Sequence, residues 1–130
     1  MADSFEISKF FPGTPAAEIF NAWLDSKGHT AFTGSPARVD PGEFSAWDGY
    51  ISGRTLAVEP HSRILQSWRT TEFPEGSPDS RLEILLADMG DGTQLTLIHT
   101  DIPDGQGGDY RQGWEEYYFK PMHQHFSTHS

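Results

Sequence analysis

The chain has 130 residues, enough for one domain that buries roughly two-thirds of its unfolded surface. Nine basic residues against 19 acidic ones give a formal charge of −10, which excludes the basic patch that nucleic acid demands and disfavours anionic membrane surfaces. There is no cysteine, so disulfides and thiolate metal sites are excluded.

The opening, MADSFEISKF, has neither the charged n-region nor the apolar run of a signal peptide, and no stretch reaches the length of a membrane span. The composition reads as a soluble, cytoplasmic protein. Phe5 to Phe11 alternates and predicts a first strand. Gly13-Thr14-Pro15 then opens a helix, with Thr14 as N-cap, Pro15 in the first turn and Ile19, Phe20, Trp23 and Leu24 as its apolar face. Asp25 to Phe32 predicts a second short helix ending near Gly34.

Strands follow. Ala37 to Asp40 and Glu43 to Trp47 flank the turn pair Pro41-Gly42. Asp48-Gly49 between Trp47 and Tyr50 predicts a two-residue type I′ hairpin, because that turn needs positive φ at both central residues. Tyr50 to Val58 and Arg63 to Thr71 pair around Glu59–Ser62, and Phe73 to Ser80 is a loop by composition. Arg81 to Asp88 and Thr93 to Asp101 form a hairpin around Met89–Gly92. A Pro/Gly-rich link, Ile102 to Gly108, leads into the last helix.

That helix, Asp109 to about Ser127, organises the rest. At helical spacing Tyr110, Trp114, Tyr117, Tyr118, Pro121, Met122 and His125 share one side, flanked by Arg111 and Glu115. A face this aromatic needs a broad apolar surface to lie on. The order strand, helix pair, consecutive antiparallel strands, long helix predicts an α+β fold of about six or seven strands curled around the last helix. Pro121 removes one backbone hydrogen bond and predicts a kink there. Gly113 is costly in a helix by about 1 kcal/mol, which predicts close approach of a strand or early fraying.

Several stretches resemble a known family in order and spacing. They are Gly42-Glu43-Phe44, Trp47 to Gly53, Leu56 to Pro60 and Arg63 to Arg69, then Gly90 to Leu97 and Gly113 to Tyr118 with Pro121. Together they are similar to the C-terminal domain of the activator of heat-shock protein 90 ATPase, a member of the START-like (SRPBCC, helix-grip) superfamily. The resemblance covers essentially the whole chain and implies the helix-grip fold. The eukaryotic activator carries a separate N-terminal domain that makes much of the chaperone contact, and nothing in this chain corresponds to it. It resembles the stand-alone bacterial members, for which the family name does not state a function.

The resemblance also implies a cavity between the curved sheet and the last helix, holding a small hydrophobic or amphipathic molecule or lipid. The helix would offer Trp114, Tyr117, Tyr118 and Met122 to it; the sheet and first helices would offer Phe32, Phe44, Arg54, Trp68, Leu97 and His99. The plainer reading is that these aromatics fill the core. Arg54 and Arg69 are able to clamp a ligand carboxylate or phosphate, or else face outward and pair with acids such as Glu59 or Glu83. His99, alternating with Leu95 and Leu97, reads as a hydrogen-bonded core histidine before a general base. His123, His125 and His129 lack a specified acidic ligand, so no metal and no cofactor is expected.

Three functions follow from these readings. The first is non-catalytic ligand binding in the cavity. The second is a co-chaperone, stress-response role through a heat-shock protein 90 homologue, which the resemblance implies by name. The third is a hydrolase or cyclase cavity with His99 and Arg54 as its polar groups. No short catalytic motif is present, and no heptad seam decides between monomer and homodimer.

Overall fold

Strand β1 (Asp3–Pro12) leads into two short helices, α1 (Ala16–Trp23) and α2 (Ser26–Thr33). Six strands follow: β2 (Arg38–Val39), β3 (Glu43–Ala46), β4 (Ile51–Glu59), β5 (Arg63–Thr70), β6 (Ser80–Asp88) and β7 (Gly92–Ile102). The computed structural model describes residues 3–40 and 42–128. All pairings are antiparallel, and the sheet order is β1-β7-β6-β5-β4-β3-β2. A meander from β2 to β7 is thus completed by β1 lying beside β7. The last helix runs as α3 (Gly107–Gly113), a π-helical segment (Trp114–Phe119) and α4 (Lys120–Thr128). This is the α+β helix-grip architecture that the element order predicts.

The core lies between the sheet and that helix. Trp68 on β5, Leu82, Ile84 and Leu86 on β6, and Leu95 and Leu97 on β7 are buried against Trp114, Tyr118, Met122 and Phe126 of the helix. Alternation along each strand delivers these residues to one face. At Gly53 the strands come too close for any side chain. A Cβ there would run into the carbonyl of Ser67 and meet the Phe44 ring at 2.9 Å. The irregularity between Thr55 and Ala57 adds further bend to the same strand.

Local expectations need three corrections. Thr14 does not cap α1: Pro15 holds the cap position without a side-chain hydrogen bond. Thr14 is instead buried, and its carbonyl accepts from Thr93 Oγ1 at 2.7 Å, tying the helix start to β7. The cap of α2 is Asp25, whose carboxylate accepts from the Gly28 N–H at 2.8 Å, and the helix stops at Gly34 with φ +78°.

The hairpin at Asp48-Gly49 is wider than two residues. Ala46 and Ile51 are the last pair, so Trp47 and Tyr50 belong to the turn. Trp47, Asp48 and Gly49 all have positive φ, at +52°, +56° and +88°. The physical reason is tertiary: Trp47 meets the Tyr117 ring edge-on at 5.6 Å and Tyr50 reaches Glu72, contacts that straight strands would not make.

The buried face of the last helix is also shifted. Tyr110, Trp114, Tyr118, Phe119, Met122 and Phe126 are buried, whereas Tyr117 is 57% exposed. The π segment takes more residues per revolution than an α turn, so buried positions recur every fourth residue instead of drifting round. The Lys120 N–H bonds back to the Glu115 carbonyl, and Pro121, having no N–H, cannot serve the carbonyls of Glu116 or Tyr117. The wide turn and the proline fall together. Among the described residues no helix is long and apolar enough to cross a membrane.

Candidate functional site

A cavity of about 340 Å³ opens between the N-terminal half of the last helix and the β3–β4–β5 end of the sheet. Tyr110, Gly113, Trp114, Tyr117 and Tyr118 come from the helix, and Ile51 and Trp68 from the sheet. Trp47 and Tyr50 of the hairpin turn close one side, and Glu72 and Asp109 are its two acidic residues. The floor is apolar and buried; the rim, with Tyr50 and Tyr117, meets solvent.

The residues around the mouth are fixed by a closed hydrogen-bonded ring. The Glu72 N–H donates to Thr70 Oγ1 at 3.2 Å, and Thr70 Oγ1 donates to Tyr110 Oη at 2.7 Å. Tyr110 Oη donates to Gln106 Oε1 at 2.7 Å, and Gln106 Nε2 returns to the Glu72 carbonyl at 3.1 Å. Tyr50 Oη donates to the Glu72 carboxylate from outside the ring. Burial, then this carboxylate, push the Tyr50 phenol up to about 12. Burial raises the Tyr110 phenol as well. Both tyrosines therefore stay protonated at neutral pH.

Behind the floor stand two buried histidines. Trp114 Nε1 donates to His99 Nδ1 at 3.1 Å, and Ser80 Oγ spends its proton on the Trp68 carbonyl at 2.6 Å. His99 Nε2 must then donate to Ser80 Oγ, 2.8 Å away, which fixes a neutral tautomer. Burial lowers the His99 pKa to about 3. His29 is held the opposite way round: Nδ1 donates to the Trp23 carbonyl at 2.9 Å, and Nε2 accepts from Tyr118 Oη at 2.8 Å. Burial lowers its pKa to about 4 and raises that of Tyr118. Both imidazoles have each nitrogen engaged, so they act as braces for Trp114 and Tyr118.

Trp68, Trp114, Tyr117 and Tyr118 come together at the cavity. The other six candidate residues do not. Phe32 is buried beneath Tyr118, packed on Trp23 and Phe126, and Leu97 and Met122 are fully buried in the core. Phe44 and Arg54 line a separate polar groove with Arg38 and Asp40. Arg54 is exposed and pairs with Glu43 at 3.4 Å. His99 sits behind Trp114.

The sequence model of the family described as Activator of Hsp90 ATPase homolog 1-like protein matches residues 13–127. The chain belongs to this family. The human Activator of 90 kDa heat shock protein ATPase homolog 1 is 29% identical over 116 residues, covering 87% of this chain and 34% of the human protein. The chain thus spans about a third of the length of the curated relatives it matches. Among solved structures, an HSP90 activator from Plasmodium falciparum superposes with a TM-score of 0.80 at 27% identity, covering 90% of this chain and 91% of that one. CalU16 from Micromonospora echinospora gives 0.78 at 28% identity, covering 97% and 77%.

In this member of the Hsp90-ATPase-activator-like family, sequence reasoning missed Trp47, Tyr50, Ile51, Glu72, Asp109, Tyr110 and Gly113 as cavity residues. Tyr110 was legible, since it shares the helix stripe with Trp114. Glu72 was not, because only the loop after β5 carries it to the mouth. Arg69 pairs with Asp79 at 2.8 Å and lies over the Phe73 ring, while Glu59 and Glu83 pair with Arg63. His123 packs on Phe11 and His125 on Phe126; His129 lies outside the described residues.

Proposed function

We propose that this protein binds a small hydrophobic or amphipathic molecule in the cavity between the sheet and the last helix. The observation that carries the reading is the cavity itself, about 340 Å³ and walled chiefly by aromatic rings. Non-catalytic binding suits it better than catalysis. His99 has both ring nitrogens engaged behind the floor and Arg54 lies in another groove, so the two polar groups of a hydrolase or cyclase reading do not converge.

Tyr117 gives the cleanest test, because it lines the mouth yet is 57% exposed. Native mass spectrometry of the purified protein, with thermal-shift screening of fatty acids, sterols and aromatic amphiphiles, identifies a binder through its stabilisation of the folded state. Tyr117→Ala is expected to weaken that binder about tenfold, since a rim aromatic contributes roughly 1–2 kcal/mol to binding, and to lower the unliganded melting temperature by only a few degrees through the lost edge-on contact with Trp47. Unchanged affinity for every binder would remove the cavity from function.

A co-chaperone reading is favoured by the relatives, which are named as activators of the heat-shock protein 90 ATPase. The exposed apolar residues Leu56 and Val58 on β4 suit a protein contact. A heat-shock protein 90 homologue would then bind this domain and change its ATPase rate. Leu56→Asp should abolish both effects without touching ligand binding; an unaltered ATPase rate with the wild type would dismiss this role.

A further inference from the structure

We propose that the cavity selects organic cations: an ammonium group, quaternary or tertiary, carried on an apolar body. The inference rests on the cavity being a ligand site, and adds the chemistry of what enters it. Seven of the eleven lining residues are aromatic, two are acidic and none is Lys, Arg or His. Aromatic faces carry negative potential, so a cation desolvated among tryptophans and tyrosines is stabilised without a full counter-charge beneath it.

The acidic pair sets the sign. Glu72 is positioned at the mouth through all three of its polar groups: its N–H on Thr70, its carbonyl under Gln106 and its carboxylate under Tyr50. Asp109 lines the same cavity from the start of the last helix. The carboxylate of an anionic ligand would meet two like charges and no basic partner in the lining, an arrangement that disfavours burial. Arg69 lies behind this wall over Phe73, tied to Asp79 at 2.8 Å, so it leaves the lining acidic. The formal charge of −10 adds a long-range field that concentrates cations and repels anions.

Isothermal titration calorimetry with three probes of one shape tests this: benzyltrimethylammonium, its neutral carbon isostere neopentylbenzene, and the tetrahedral anion benzylsulfonate. The cation is expected to bind about tenfold or more tightly than the isostere, and the anion least. Glu72→Gln keeps an oxygen for Tyr50 but removes the charge. It should weaken the cation about three- to tenfold and leave the isostere unchanged. Equal or tighter binding of the isostere or the anion would overturn charge selection while leaving the cavity as a ligand site. No change for the cation in Glu72→Gln would overturn the carboxylate's part. Failure of all three probes to bind would count against the cavity reading itself.

Discussion

At the scale of the residue, His29 and His99 decide how the protein meets acid. Their folded-state pKa values of about 4 and about 3 lie below the ordinary 6.5 because burial disfavours the charged form. Below pH 6.5 the unfolded chain takes up protons that the folded chain refuses, so stability is complete above that pH and falls as pH drops toward the folded values. The loss approaches about 1.4 kcal/mol per pH unit for each histidine. Melting temperatures measured from pH 7.5 down to pH 5 should therefore decline, and His29→Gln or His99→Gln should flatten the decline even though each lowers the starting value. A slope that either substitution leaves unchanged would show that the imidazole is already charged in the fold. The sequence disclosed His99 as inward-facing through its alternation with Leu95 and Leu97. His29, in a polar helix reading SKGHTAFT, gave no such signal, because only the fold brings Tyr118 and Trp23 to it.

At the scale of the element, the last helix shows why a face read from spacing fails where the helix changes pitch. The expected stripe included Tyr117 and His125 and left out Phe119 and Phe126; the π segment turns Tyr117 to the rim and Phe119 inward. Pro121 hinted at a local irregularity, but nothing in residue order distinguishes a kink from a wide turn. Gly113 was predicted to permit close approach of a strand or to mark early fraying. Instead its φ and ψ are helical at −60° and −40°, and a Cβ would meet only the Tyr117 ring at 3.8 Å, inside the cavity lining. Gly113→Ala is thus expected to stabilise the fold by up to about 1 kcal/mol, read from urea unfolding, while lowering the affinity of any cavity ligand. A destabilised variant would mean that the glycine serves packing, and an unaffected affinity would move the ligand away from the helix start.

At the scale of the whole molecule, the charge imbalance opposes the fold. Nineteen acidic residues face nine basic ones, and the ion pairs Arg38–Asp40 and Arg54–Glu43 are too exposed to contribute much. Raising sodium chloride from about 50 mM to about 500 mM shortens the Debye length several-fold and should raise the melting temperature by a few degrees. A fall instead would show that Arg63 with Glu59 and Glu83, and Arg69 with Asp79, outweigh the repulsion. The overall architecture was legible because alternating strands followed by an aromatic helix leave one way to bury both. The cavity was legible only in part, since its mouth is made by a turn and a loop that meet far apart in the chain.

The four tryptophans of this protein have a shared optical consequence. Trp47, Trp68 and Trp114 line the cavity, and Trp23 stacks on Trp114 with ring centres 6.1 Å apart, while Trp68 lies 5.6 Å from Trp114. At such separations ultraviolet excitation passes between indoles before it is emitted, so the stacked rings fluoresce as one coupled chromophore. The cavity is thereby wired to the intrinsic emission of three of the four indoles: an occupant that touches Trp68 or Trp114 changes the colour and intensity of the coupled set, and occupancy is read without a label.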